Sequence, residues 1–156
     1  MGYNELQKKP KRDKNRQIRK DGGLCMIWRD SFAIGAPAID RQHKELCDHV
    51  DRLQEACSKG KGSEEVGKML NFLAEYTVKH FTDEEAFQRK INYPKYVQHK
   101  AAHDDFLAKV TKLKKEATEG GVNIALVIKI NQIVSDWLVN HIRGMDSDLK
   151  NYIPKG

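Results

Sequence analysis

The sequence predicts an all-α fold, an antiparallel up-down-up-down four-helix bundle entered through an extended N-terminal arm. Three observations carry that prediction. Apolar residues recur every three or four positions in four successive stretches; the breaks between stretches are short and hold Gly, Asn or Pro; and no strand-like alternation persists outside Leu24 to Ile39. Short connections make consecutive helices antiparallel neighbours, which sets the topology.

The arm, Leu24 to Ile39, contains Trp28, Phe32, Gly35 and Pro37 and reads as extended and packed. Asp40 is the N-cap expected for a first helix with Leu46, Cys47, Val50, Leu53 and Cys57 on its stripe, broken at Ser58 to Gly62. Ser63, followed by Glu64 and Glu65, caps a second helix through Val66, Met69, Leu70, Leu73, Tyr76 and Phe87. Asn92-Tyr93-Pro94 interrupts the pattern. Pro94 suits the first turn of a third helix carrying Tyr96, Val97, Phe106, Leu107, Val110 and Leu113, which Gly120-Gly121 ends. Val127, Ile130, Val134, Trp137 and Leu138 define the fourth.

Charge separates the chain into two parts. Of 28 basic and 22 acidic residues, eight basic and two acidic ones fall in residues 1–20, which leaves twenty of each sign elsewhere and puts the whole excess of +6 on the leader. Residues 1–23 are therefore expected to be a basic, unstructured leader that buries too little apolar surface to fold, and residues 24–156 the domain. The leader holds no base-reading motif, so no specific nucleic-acid partner is expected. No run of about 18 apolar residues exists for membrane insertion. The N-terminus lacks the apolar segment of a secretory signal, and a cytoplasmic location is expected. Cys25, Cys47 and Cys57 form no Cys-x-x-Cys pair and point to reduced thiols.

The chemistry lies in the histidines. Five of the six, His43, His80, His99, His103 and His141, fall on the inner stripes, and every helix contributes. His49, six residues past His43 and about 240° round the helix, is expected to face solvent. The pairs His80/Glu84 and His99/His103 are four apart, about 40° of rotation and about 6 Å of rise, so each pair can reach one metal centre. Glu84 alone in the run Asp83-Glu84-Glu85 shares the face of His80. His141 and Asp146 are five apart and about 140° out of phase on a regular helix, so both point inward only if the helix widens or ends at Gly144. Asp148 is nearly in phase with His141 but about 10 Å further along the axis, too far to share a site.

Five imidazoles and two carboxylates without thiolates suit iron better than calcium or magnesium, while zinc, manganese and cobalt remain compatible with the ligand types. Seven ligands exceed one ion. Two octahedral ions offer about twelve positions: five histidines, two bridging carboxylates and a bridging solvent oxygen fill about eleven, and one stays open for a small diatomic ligand.

The segments IDRQH at His43, HFTDEEA at His80, HKAAH ending at His103 and DWLVNHIRGMD at the end together resemble the hemerythrin family over residues 27–152. The resemblance implies two iron ions with an oxo or hydroxo bridge, one held by His99, His103 and His141, the other by His43 and His80, with Glu84 and Asp146 bridging. It also implies reversible binding of dioxygen, and possible binding of other small diatomics, for storage, delivery or sensing. In the family both ferrous ions are oxidised as oxygen enters at the two-histidine iron, and the net charge of the centre is unchanged, which spares an apolar bundle the cost of a new buried charge. No enzymatic role is expected; the alternatives are a diiron redox enzyme acting on peroxide, oxygen or nitric oxide, and an iron-buffering module. One departure is Cys47, one turn after His43, where the family often carries a bulkier apolar residue.

Overall fold

The computed structural model describes residues 27–154, so the expectations for the basic leader and the start of the arm lie outside the described residues. Four helices follow one another: α1 (Pro37–Ser58), α2 (Gly62–Lys90), α3 (Tyr96–Gly120) and α4 (Ile124–His141). They pack as an antiparallel bundle, with α2 in the most extensive contact, against α1 on one side and α3 on the other. After α4 the chain makes a wide π turn over Ile142–Asp146 and a short 3-10 turn over Leu149–Asn151. No helix among the described residues is long and apolar enough to cross a membrane.

The arm is packed as expected, with Trp28, Phe32 and Ile34 buried, but it is not extended throughout. Asp30–Phe32 forms a 3-10 turn, and α1 begins at Pro37 rather than after Asp40. Proline fixes a helical φ and lacks an N–H that the first turn would leave unpaired, so the helix starts there without a side-chain cap. Asp40 acts one turn in: its carboxylate accepts from the N–H groups of Ile34 (2.6 Å) and Gly35 (3.1 Å) and ties the arm to α1.

Other ends also shift. Helix α2 begins at Gly62, so Ser63 is not its cap. Pro94 lies in the turn before α3, and Asn92 takes a left-handed φ of 52° that permits the reversal. Gly121, at φ 72°, ends α3, and Asn123 caps α4 by accepting from the Leu126 N–H at 2.9 Å. Val97 is 78% exposed and does not belong to the inner stripe. It stands two residues before His99, about 200° away, so burial of one excludes the other.

Gly62 sits where the start of α2 meets the end of α1 and the start of α4. A Cβ there would stand 2.8 Å from Val127 Cγ1 and 2.9 Å from Cys57 Sγ. Gly62→Ala is expected to cost about 1–3 kcal/mol through overpacking. The check is a lowered urea midpoint at unchanged slope.

The apolar residues form two clusters. The larger runs through the bundle, from Leu46, Val50 and Leu53 on α1 to Leu138 and Ile142 at the end of α4. The smaller closes one end with Ile34, Ala36, Ile39, Tyr93 and Leu149. Five of the seven candidate ligands fall along the chain between a residue of one cluster and a residue of the other, His43 between Ile39 and Leu46, Glu84 between Phe81 and Phe87, His99 and His103 between Tyr96 and Phe106, and Asp146 between Ile142 and Leu149, while His80 and His141 adjoin Phe81 and Ile142 of the larger cluster. The polar layer is thus sealed by apolar packing on both sides.

Candidate metal centre

All seven residues singled out in the sequence converge on that layer. Glu84, His99, His103, His141 and Asp146 bring ligand atoms within 4.8 Å of one another, and His43, His80 and Glu84 form a second group on the same criterion. Glu84 belongs to both. Asp146 also reaches both, with Oδ1 3.0 Å from His99 Nε2 and from His141 Nε2, and Oδ2 3.1 Å from His43 Nε2. Glu84 Oε2 lies 3.3 Å from His103 Nε2 and 3.6 Å from His80 Nε2. Each carboxylate therefore stands between a group of three imidazoles and a group of two.

The π turn brings Asp146 into place. Its wider coil returns residue i+5 to the face of residue i, so His141 and Asp146 both point inward, as their spacing demands. The Ser147 Oγ–H donates to the Ile142 carbonyl at 2.8 Å within the same stretch. Gly144 is not sterically required, since a Cβ there would meet open space. Asp148 lies outside the cluster and accepts from Tyr93 Oη and Lys95 Nζ, both at 2.8 Å. His49 is also outside, half-buried rather than freely exposed, because its ring stacks on Phe72 at 3.5 Å.

The donor set fits metal ions better than it fits itself. His141 Nε2 lies 3.0 Å from His99 Nε2 and 3.0 Å from His103 Nε2. A ring nitrogen carries at most one proton, so such a convergence of nitrogens and carboxylate oxygens cannot be satisfied by hydrogen bonds alone. Metal–imidazole bonds of about 2.1 Å at near right angles set neighbouring donors about 3 Å apart. Both oxygens of Glu84 and of Asp146 are fully buried; those of Glu84 have no hydrogen-bond donor and those of Asp146 face only imidazole nitrogens, a cost that cations would remove.

Charge follows from that burial. Desolvation, then the nearby Asp146 carboxylate, pushes Glu84 up to about 8. Burial also works against the ionised Asp146, but the His141 and His43 imidazoles outweigh it and hold Asp146 well below the usual range. Burial followed by the neighbouring His43 lowers His80 well below its ordinary value; burial followed by His141 and His99 takes His103 down to about 3. For His43 burial is again the largest influence, yet the Asp146 and Glu84 carboxylates reverse it and raise the ring.

Two residues that hold ligands in place were not read from the sequence. Gln42 Oε1 faces His80 Nδ1 at 2.9 Å, and Gln42 Nε2 donates to Asp83 at 2.6 Å. Glu85 Oε1 faces His103 Nδ1 at 3.1 Å. Each acceptor favours a proton on Nδ1 and leaves Nε2 as the donor toward the layer. Phe81 stacks on His103 at 3.8 Å and Trp137 on His141 at 4.2 Å, which fixes the ring planes. Cys47 is fully buried in the apolar core.

Residues 35–153 match the family model of the hemerythrin HHE cation binding domain. Bacteriohemerythrin of Methylococcus capsulatus is 34% identical over 122 residues, 78% of this chain and 91% of that protein. Myohemerythrin of Sipunculus nudus is 32% identical over 124 residues, 80% of this chain and 90% of that one. A crystal structure of a wild-type hemerythrin superposes with a TM-score of 0.64 at 32% identity, covering 75% of this chain and 88% of the other.

Proposed function

The chain belongs to the hemerythrin family, and on that premise we propose that it binds dioxygen reversibly at a two-iron centre held by His43, His80, Glu84, His99, His103, His141 and Asp146. The observation that carries the reading is the sharing of Glu84 and Asp146 between a three-histidine and a two-histidine group. Seven donors so divided would hold two ions, one beside three imidazoles and the other beside two, with both carboxylates in reach of each.

Bound there as a ferrous pair, iron would supply the electrons on which reversible capture of oxygen draws. The protein's part is to keep that exchange reversible. Five neutral imidazoles leave Glu84 and Asp146 as the anionic donors, so the layer stabilises high-valent iron less than a carboxylate-rich site does. The apolar clusters above and below exclude water and its protons. Gln42 and Glu85 hold two of the rings, and Phe81 and Trp137 clamp two faces, so little rearranges as the centre changes state.

A binding protein and a redox enzyme with the same ligands differ in turnover. With ferrous protein and excess ascorbate in air, oxygen uptake is expected to stop near one dioxygen per centre. Continuous uptake, or rapid peroxide consumption, would move the assignment to a diiron enzyme.

A further inference from the structure

Gln88 is the buried polar residue of α2 that the site as described leaves without a task. It is fully buried, and neither its Oε1 nor its Nε2 has a hydrogen-bond partner. An amide in that condition costs about 1–3 kcal/mol per unpaired group, so its retention in a packed bundle calls for a partner. The same layer holds a matching deficit. His99 Nδ1 is buried and unpaired, although its Nε2 faces Asp146 at 3.0 Å and leaves Nδ1 to carry the proton.

The helix register brings the two together. Helices α2 and α3 are antiparallel neighbours, and Glu84 and Glu85 lie against the two nitrogens of His103 at 3.3 and 3.1 Å. One turn onward along α2 is Gln88, and one turn back along α3 is His99, so the antiparallel register sets Gln88 toward His99 as Glu84 and Glu85 are set toward His103. The connection between the helices tightens this: the Tyr93 N–H donates to the Gln88 carbonyl at 2.9 Å, and the Tyr93 ring meets the His99 ring edge-on at 6.0 Å. Long side chains on a helix lean toward its N-terminus, which for Gln88 is the side of Glu84.

We propose that Gln88 is a positioning residue of the metal centre, whose Oε1 accepts the Nδ1–H of His99. It completes a pattern already half visible, in which Gln42 serves His80 and Glu85 serves His103. The bond requires a turn of the amide when the site is filled, because neither atom is paired in the structure. The proposal rests on the reading of the cluster as a metal centre.

Zinc, which is diamagnetic, is the probe. Zinc affinity and the histidine N–H signals of 15N-histidine-labelled protein are compared for the wild-type chain, Gln88→Met and Gln88→Glu. The wild-type protein is expected to show a slowly exchanging His99 Nδ1–H close to the Gln88 side-chain amide. Gln88→Met, similar in size but without an acceptor, is expected to bind zinc about 10–100-fold more weakly and to lose protection of that proton alone. Gln88→Glu is expected to restore both. Unchanged zinc affinity with a protected His99 proton in Gln88→Met would overturn the proposal, as would a Gln88→Glu variant no better than Gln88→Met. Should Gln88→Met fail to fold, the wild-type signal decides: a His99 Nδ1–H in fast exchange and remote from the Gln88 amide refutes the pairing. The two readings fail separately. A wild-type chain that takes up no metal removes the centre itself, whereas uptake indifferent to Gln88 removes only this role.

Discussion

Asp146→Ala is expected to leave fewer than two metal ions per chain and no oxygen-dependent spectrum. Its two oxygens face His99 and His141 on one side and His43 on the other, at 3.0 to 3.1 Å, and no second carboxylate takes over all three contacts. Glu84 already serves His103 and His80. The metal-free protein should weaken as well. Removing one partner from a buried ionic cluster costs about 3–5 kcal/mol, and the low end applies because the imidazoles can shed their protons once the carboxylate is gone. Loss of Asp146 should also bring Glu84 down from about 8, since that neighbour is the second largest cause of its elevation. Metal counting and urea unfolding of the metal-free variant check the two halves. Two tightly held ions in Asp146→Ala would show that the carboxylate does not bridge.

The metal-free protein is expected to be most stable near pH 6.5, and filling the site is expected to remove the decline above that pH. His80 and His103 have folded pKa values below the unfolded value of about 6.5, so below it the unfolded state binds more protons and stability falls with falling pH. Asp146 adds to this at lower pH, because its stabilisation is lost as pH falls through its depressed pKa. Glu84 acts in the other direction. Its folded value of about 8 lies above the unfolded 4.5, so the folded state binds more protons between these limits and stability declines as pH rises through them. His43, raised above its ordinary value, contributes stability below about pH 6.5 that is lost as pH rises through its folded pKa. Two histidines outweigh one carboxylate below pH 6.5; above it only the declining contributions remain. Bound cations hold Glu84 ionised and His43 neutral, so the loaded protein has no such alkaline limb. Urea midpoints measured across pH, with and without metal, test the sign of each limb.

The stripes of the four helices were legible because burial follows the helical period, and five histidines at core positions cannot be hidden among surface residues. Even the widened turn at Ile142–Asp146 was implied by spacing, since a five-residue separation brings two side chains to one face only in a wide coil. What stayed illegible depended on contacts between segments. Asp40 looked like a helix cap, but its carboxylate is taken by the N–H groups of Ile34 and Gly35 in the arm, and α1 starts a turn earlier at Pro37. Val97 looked apolar enough to be inside, but the register set by His99 and His103 turns it out. Gln42, Glu85 and Gln88 carry no pattern of their own. Their importance appears only when ring nitrogens of other helices are placed beside them, although the step of four from Glu84 to Gln88 was a signal that could have been followed.

The most direct test is anaerobic reconstitution with ferrous iron, iron counted per chain, and optical spectra recorded under argon, in air and under argon again. The account predicts two irons per chain and a visible band that appears with oxygen and disappears when oxygen is removed. A chain that holds less than one iron and shows no oxygen-dependent spectrum would contradict it, and a band that passes at once into a stable ferric form would contradict reversible binding.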